Sequence, residues 1–168
     1  MKNGFIFERK KILSAVFLLL TIACTVIIFS NSMNIGLDSG RQSGKVVQAV
    51  IKVADVLGIK INNVESLHHI VRKSAHFLEY ALLGALSFFT LKIMGMKTFP
   101  RVYFTLGYSL LIAGCDEYIQ TFREGRSGQV SDAFLDFSGA ATAVALCLLV
   151  FFLIKRHKSR KINKEKEV

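Results

Sequence analysis

Four stretches of the chain are almost entirely apolar and are long enough to cross a lipid bilayer as helices. They cover about residues 12–30, 75–96, 102–119 and 133–154. A bilayer core requires about 20 apolar residues in a row, because a helix rises about 1.5 Å per residue and no backbone polar group can stay unpaired in hydrocarbon. The pattern therefore predicts a single all-α domain over residues 1–168, a polytopic membrane helix bundle with four transmembrane helices.

The segment between the first two stretches has the periodicity of an amphipathic helix. From Val46 to Leu57, apolar residues recur at helical spacing with charged and amide side chains between them. Ser39 followed by Gln42 provides a capping-box start, and Gly58 provides a stop. We expect this helix to lie on the outer surface of the membrane, and the pattern leaves open whether its apolar face packs on the bundle or contacts lipid.

The remaining connections are short. A helical stretch from Val64 to Arg72 contains no breaker, so we expect it to continue into the second apolar stretch. A tight turn around Gly95 and Pro100 joins the second and third stretches, and a loop over residues 121–131 joins the third and fourth.

Small residues predict close helix packing at two places. Gly139 and Ala143 have small-xxx-small spacing in the fourth stretch, and we expect Gly107 and Gly114 to serve the third stretch in the same way. Such surfaces let membrane helices approach closely, so these residues are packing features and carry no chemistry.

Basic residues predict the orientation of the bundle. If both ends are inside, about 14 of the 22 Lys and Arg residues are cytoplasmic, while about 9 of the 12 acidic residues are outside. Because Lys and Arg are disfavoured in translocated segments, we expect a multi-pass protein of the cell membrane with both termini cytoplasmic. The first stretch exceeds the roughly 7–15 residues of a secretory signal core, so we expect it to be a retained anchor.

The net charge of +10 does not indicate a nucleic-acid-binding protein. Much of it comes from the basic tail over residues 155–168, which directly follows an apolar stretch. A basic segment in that position is typical of a cytoplasmic topology determinant that is attracted to anionic lipid headgroups. We therefore expect no nucleic-acid partner.

Ionisable side chains are concentrated at the outer ends of the last three predicted helices. Each costs roughly 2.5–3.5 kcal/mol inside a membrane segment, so a cluster of them requires an explanation. On the second helix, Arg72, His76 and Glu79 follow i, i+4, i+7 spacing, and Lys73 and Tyr80 lie on an adjoining stripe. The third and fourth helices and the loop between them bring further polar residues to the same level: Asp116, Glu117, Gln120, Arg126, Asp132 and Asp136.

Two interpretations of this cluster remain open. Since cations and carboxylates are nearly balanced, the residues could form ion pairs that hold three helices together. Alternatively, they form a headgroup site, in which Arg72, Lys73 and Arg126 contact anionic groups while carboxylates and Gln120 bind hydroxyls or amines. The neighbouring helices would then hold an acyl or polyprenyl tail.

An enzyme acting on a lipid headgroup is a further alternative. His76 would act as general base or metal ligand, and Glu79, Asp116 and Asp132 are the other catalytic candidates. No motif with a fixed nucleophile geometry accompanies them, and adjacent helical residues such as Asp116 and Glu117 point about 100° apart. We therefore favour a non-catalytic protein with no metal and no cofactor.

At these residues the chain resembles the VanZ-like family, named for an accessory protein of glycopeptide-resistance clusters. The family's basic pair, His and Glu-Tyr are matched within Arg72 to Tyr80, and its acidic pair and Gln within residues 116–120. Its Gly-Arg block, with two aspartates and a glycine, is matched within residues 125–139, and residues 29–32 resemble its serine-containing helix exit. The chain departs from the family at Tyr118 and Ile119, where a histidine often precedes the glutamine, and so lacks a second imidazole there.

The resemblance implies a small polytopic envelope protein, linked in the founding member to tolerance of teicoplanin, a lipidated glycopeptide. Our leading hypothesis is a membrane protein that binds or handles an amphipathic lipid-linked or lipoglycopeptide molecule at the outer leaflet. A subunit that stabilises another membrane protein through the first helix and the amphipathic helix, or a homo-oligomer, is the remaining alternative.

Overall fold

The computed structural model describes residues 2–33, 36–123 and 128–166, with side chains described for 8–33, 44–123 and 128–163. Within these ranges the fold is all-α, as the sequence predicts. Its helices are α1 (Lys2–Met33), α2 (Gly36–Val56), α3 (Val64–Ile93), α4 (Thr98–Gln120) and α5 (Val130–Lys166).

Three helices are long and apolar enough to cross a membrane, judged by length and composition. Among the described residues these spans are Glu8–Met33 in α1, Val64–Ile93 in α3 and Val130–Asn163 in α5. Helix α4 is not among them, because Arg101, Asp116, Glu117 and several hydroxyl residues lower its mean hydropathy. The structure thus supports three of the four predicted crossings, and the crossing by α4 stays a prediction.

Helix α3 lies at the centre of the bundle and packs against each of the other four helices. It begins after Asn63, whose side-chain oxygen accepts a 2.9 Å hydrogen bond from the backbone N–H of Ser66, and it continues unbroken to Ile93. This confirms the predicted continuation of Val64–Arg72 into the second apolar stretch. Helices α1, α4 and α5 surround α3, and α4 also packs against α1 and α5.

A short turn reverses the chain between α3 and α4. Gly95 adopts φ +90°, a conformation that costs glycine no steric clash, and α4 begins at Thr98. Pro100 therefore lies in the first turn of α4, where the missing N–H costs no intrahelical hydrogen bond, and not in the turn itself. The end of the bundle that carries residues 94–97 is called the turn end below.

Helix α2 begins at Gly36, before the start predicted at Ser39. It ends at Val56, and the predicted stop at Gly58 is confirmed by its φ of +71°. Val47 and Ala54 are buried, and α2 packs on α3, whereas a second apolar stripe that includes Val50 stays exposed. One apolar face therefore packs on the bundle while another is left uncovered by the described chain.

Small residues make the contact between α3 and α5 very close. A Cβ added to Gly139 would lie 2.2 Å from the backbone oxygen of Phe77, and one added to Gly84 would lie 2.8 Å from the Cα of Ala140. The close packing predicted at Gly139 is confirmed. The prediction for Gly107 and Gly114 is wrong, because no heavy atom of the described chain lies within 4 Å of a Cβ added at either position.

Hydroxyl groups link α1 to the neighbouring helices along its length. Thr21 Oγ1 lies 3.1 Å from Thr90 Oγ1 of α3, and Thr25 Oγ1 lies 2.7 Å from the Tyr108 hydroxyl of α4. Between the turn end and the opposite end lies an apolar core of six buried residues: Cys24, Ile28, Tyr80, Leu83, Ile112 and Ala113. Through these contacts α1 is packed into the bundle.

Candidate functional site

Four helices bring polar residues together at the end of the bundle opposite the turn. The last turn of α1, the first half of α3, the last turns of α4 and the first turns of α5 all contribute. This follows from the antiparallel order of the helices, since α1 and α4 end where α3 and α5 enter the bundle. We call this region the polar end.

The side chains at the outermost edge of the polar end, which we call the rim, are the most exposed, and burial increases from the rim towards the interior of the bundle. Arg72 is exposed, and the side chains of Lys73 and Asp132 are 34% and 25% exposed. His76 is 20% exposed, whereas Asp136 is almost completely buried. Deeper still, the following residues are buried: Tyr80, Asp116, Glu117 and Gln120.

An ion pair closes the rim. Lys73 Nζ of α3 donates a 2.7 Å hydrogen bond to Asp132 Oδ1 of α5. Because both side chains are partly exposed, solvent screens the pair and its contribution to stability is about 1 kcal/mol or less. The contact nevertheless pairs Lys73 with Asp132, so neither charge is left without a partner at the rim.

Beneath the rim, three side chains from three helices converge. His76 Nδ1 of α3 lies 4.0 Å from Asp136 Oδ2 of α5, which is too long for a direct hydrogen bond. Asp116 of α4 completes the group, since one ligand atom from each of the three residues lies within 4.8 Å of the others. One imidazole and two carboxylates are a donor set that suits a divalent metal ion. We call these three residues the His76 cluster.

Asp116 is held by two donors. Ser32 Oγ of α1 donates to its Oδ1, and Gln120 Nε2 donates to its Oδ2 at 3.1 Å. Each carboxylate oxygen can accept more than one contact, so both oxygens can still bind a further partner while these two donors fix the orientation of the side chain.

Glu117 fixes the chain that enters α5. Its Oε2 accepts a 2.8 Å hydrogen bond from the backbone N–H of Gln129, and its own backbone oxygen would lie 2.3 Å from a Cβ added to Gly128. Asp116 and Glu117 thus turn to different partners, as their 100° separation on a helix predicts, although Gln120 Nε2 also lies 3.4 Å from Glu117 Oε1.

Two predicted site residues face other parts of the bundle. Glu79 Oε1 accepts a 2.9 Å hydrogen bond from Asn31 Nδ2 of α1, and Tyr80 belongs to the apolar core, with no hydrogen-bond partner for its hydroxyl among the described residues. Neither lines the cavity described next. Arg126 lies outside the described residues, so its predicted role stays a prediction.

A polar cavity of about 100 Å³ opens at the polar end. Its lining comprises His69, Arg72, Lys73, His76, Glu117, Gln120, Gln129, Asp132, Leu135 and Asp136. An apolar groove of about 430 Å³ follows α3 and α5 beside it, along Ile70, Phe77 and Leu78. His69, Lys73 and Leu135 line both spaces, so the polar cavity and the apolar groove adjoin.

Several residues of the polar end were not among the predicted site residues. Asn31 and Ser32 contact Glu79 and Asp116, and His69 lines both the cavity and the groove. The signal for the first two is their position, because they follow the first apolar stretch directly and therefore stand at the same level as the cluster. His69 also carries a signal, since it shares one helical face with Lys73 and His76 at i, i+4, i+7 spacing.

A family model described as VanZ/LLP1 matches residues 16–153. Comparisons with curated proteins and with solved structures found no match. Together with the three membrane-length helices, the family match indicates a membrane protein of the cell envelope. Since the match covers most of the chain and includes every polar-end residue described above, the chain belongs to the VanZ/LLP1 family.

Proposed function

We propose that the protein binds an amphipathic membrane molecule at the polar end, with the headgroup in the cavity and the tail in the groove. The observation that carries this proposal is that a polar cavity and a larger apolar groove share three lining residues. A molecule with one polar and one apolar part satisfies both spaces at once, whereas a fully water-soluble ligand would leave the groove unfilled.

Arg72 supports a phosphate group as the anionic part of the ligand. Among the described residues it makes no ion pair or hydrogen bond, although it lines the cavity. Lys73, in contrast, is paired with Asp132. A guanidinium group can donate two parallel hydrogen bonds to a phosphate, so Arg72 is the described cation best placed to recognise one. The predicted contribution of Arg126 would add to this positive charge.

The size of the cavity favours a compact headgroup. About 100 Å³ accommodates a phosphate with an amine or a small polar substituent. A whole glycopeptide is far larger, so a lipoglycopeptide would leave most of its headgroup outside. We therefore favour a phospholipid or lipid-linked envelope precursor over teicoplanin itself as the ligand, and any antibiotic tolerance would follow indirectly from handling that lipid.

The membrane provides the direction of access. In the orientation that the basic residues predict, the polar end lies at the outer leaflet and the groove opens sideways into lipid. A lipid could then enter laterally without leaving the bilayer. The site would act on molecules of the outer leaflet, where envelope precursors are handled.

The decisive test is lipid retention by the purified protein. Native mass spectrometry of the full chain, extracted in mild detergent, should show a co-purified phosphate-bearing lipid. Arg72→Ala should reduce its retention about 10- to 100-fold, because a charge-assisted hydrogen bond contributes about 1.5–3 kcal/mol. The matched control is Arg123→Ala, since Arg123 is also exposed at this end but does not line the cavity.

Two results would contradict the proposal. Equal lipid retention by wild type and Arg72→Ala would mean that Arg72 does not recognise a headgroup. A loss of folded protein in Arg72→Ala, measured by circular dichroism, would instead favour the interpretation in which the polar residues hold the helices together.

An enzyme acting on a lipid headgroup is the second candidate, and the His76 cluster favours it. An imidazole 4.0 Å from a buried carboxylate could transfer a proton to or from a headgroup in the cavity. The same lipid extracts separate the candidates. A binding protein leaves the lipid chemically unchanged, whereas an enzyme in proteoliposomes produces a headgroup product that His76→Gln abolishes.

A further inference from the structure

We propose that His76, Asp116 and Asp136 form a binding site for a divalent transition-metal ion, Zn²⁺ or Mn²⁺. One ligand atom from each residue lies within 4.8 Å of the others, and the three residues come from three different helices. Two ligand atoms on one tetrahedral ion lie about 3.3 to 3.6 Å apart, because each bond is about 2.0 to 2.2 Å long. To close the site, the ligand atoms would approach one another by up to about 1.5 Å, a distance that rotations about side-chain bonds can supply.

The buried carboxylate of Asp136 supports the metal site independently of the distances between the three ligands. This residue is 1% exposed, and its Oδ2 has no hydrogen-bond partner among the described residues. The same atom lies 4.0 Å from His76 Nδ1, a separation that is too long for a hydrogen bond and leaves room for an ion between the two atoms. Buried polar atoms are rarely left without a partner, so this atom indicates a missing one.

Charge supports a cation over a further hydrogen-bond donor. The carboxyl groups of Asp116 and Asp136 lie side by side, and Lys73, a nearby cation, is paired with Asp132 at the rim. Two ionised carboxylates that are buried side by side repel each other, and a positive charge between them removes this repulsion. A divalent ion would neutralise Asp116 and Asp136 together.

Two residues that would orient Asp116 as a metal ligand already contact it. Ser32 and Gln120 donate to the two oxygens of Asp116 and so orient it from opposite sides. Partners of this kind fix ligand orientation and typically change metal affinity 10- to 100-fold when they are removed. The mixture of one imidazole with carboxylates favours Zn²⁺ or Mn²⁺ over Mg²⁺ or Ca²⁺, which prefer all-oxygen sites.

The site opens towards the ligand cavity. His76 and Asp136 both line the cavity, and three protein ligands leave at least one coordination position unfilled. A phosphate oxygen of a headgroup could occupy that position. This last step rests on the proposed function, whereas the metal site itself does not.

The test uses the full-length protein in detergent micelles with no added lipid. After chelator treatment and equilibration with Zn²⁺ or Mn²⁺ alone, mass spectrometric metal analysis should find about one ion per chain, and the ion should raise the Tm. His76→Gln and Asp136→Asn should each lose the bound ion. Ser32→Ala should bind the ion about 10- to 100-fold more weakly.

Matched controls replace the same residue types at exposed positions outside the cluster. Asp55→Asn and His157→Gln should keep the ion and the metal-dependent rise in Tm. If a cluster variant fails to fold, the metal-loaded wild type still tests the proposal. X-ray absorption at the metal edge reports whether an imidazole and carboxylates ligate the ion.

The proposal is overturned if the wild type binds no stoichiometric ion and its Tm is insensitive to metal, or if folded His76→Gln and Asp136→Asn keep the ion. Since no lipid is present, neither result bears on lipid retention by Arg72, and failure of the lipid experiment leaves the metal analysis intact.

Discussion

The carboxylates at the polar end differ in their hydrogen-bond and ion-pair partners. Asp132 is paired with a cation, Glu79 accepts from an amide and Glu117 accepts from a backbone N–H. Asp116 accepts from two side chains, and Asp136 Oδ2 has no donor within the described chain. The residues with complete partners position the helices, and the residue without one lies where a ligand or an ion would be bound.

The contact between Asn31 and Glu79 can be tested as a structural link between α1 and α3. Hydrogen bonds between membrane helices contribute about 0.6 kcal/mol on average, and an ionised acceptor raises this value. We expect Asn31→Ala to lower the free energy of unfolding by about 1–2 kcal/mol. This free energy of unfolding is measured by titrating the folded protein with SDS in mixed micelles.

A double-mutant cycle provides the control. In a Glu79→Ala background, Asn31→Ala should cost about 1 kcal/mol less than in the wild type, because the acceptor has already been removed. Equal costs in both backgrounds would show that Asn31 stabilises the bundle without Glu79.

Among the helices, α4 has its polar side inside and its apolar side outside. Its buried stripe includes Thr105, Ser109 and Asp116, whereas Phe104 and Leu111 are 55% and 63% exposed. This is the inverse of a helix in a water-soluble protein, where the exposed face is polar. The distribution explains why α4 has a low mean hydropathy and still suits a position surrounded by lipid on one side.

The contact between α3 and α5 depends on the absence of a side chain at Gly139. We expect Gly139→Ala to lower the free energy of unfolding by about 1–3 kcal/mol, because the added methyl group would overlap the backbone of Phe77. Gly107→Ala and Gly114→Ala are the matched controls. With no heavy atom within 4 Å, they should be neutral or stabilise the helix by up to about 1 kcal/mol.

Thermal unfolding followed by far-ultraviolet circular dichroism in detergent distinguishes these outcomes. If Gly139→Ala unfolds at the same temperature as Gly114→Ala, then α3 and α5 do not pack as closely as the structure shows.

The whole molecule has chemically different ends. The polar end collects carboxylates, whereas at the turn end Lys92 Nζ lies 3.3 Å from the centre of the Phe151 ring and the Arg101 guanidinium lies 4.4 Å from that of Phe88. These cations lie over aromatic rings near the turn, and together with the basic tail of α5 they are among the residues from which a cytoplasmic turn end is predicted.

The number of crossings is testable because it fixes the relative side of the two termini. If α4 crosses together with α1, α3 and α5, the total is even and both termini lie on the same side, which the basic residues predict to be the cytoplasm. With three crossings, the termini lie on opposite sides. We expect green fluorescent protein to fluoresce when fused to either end, since it matures in the cytoplasm and not when exported unfolded.

Alkaline phosphatase fused at the same positions is the complementary reporter, since it is active only outside. Activity of a C-terminal phosphatase fusion, with a cytoplasmic N-terminus, would contradict the crossing by α4 and would place α5 in the opposite direction.

The sequence by itself determined the elements and the level at which their polar residues lie. A long apolar run in lipid forms a helix, because a helix satisfies all backbone hydrogen bonds within a single segment of the chain. Antiparallel helices of similar length then bring His76, Asp116 and Asp136 to one end, so their convergence could be expected from spacing alone. The family resemblance was readable from the same residues, and the family match over residues 16–153 agrees with it.

Only the tertiary structure decided which way each helix is turned about its own axis. Helical periodicity shows which residues share a face, but the neighbour that this face meets depends on packing across several helices. For this reason Glu79 meets Asn31 instead of lining the cavity, Tyr80 joins the core, and Gly114 faces open space where close packing was predicted. The partners of Asp116 and Asp136 are likewise fixed by the rotation of α1, α4 and α5, which no single stretch of sequence encodes.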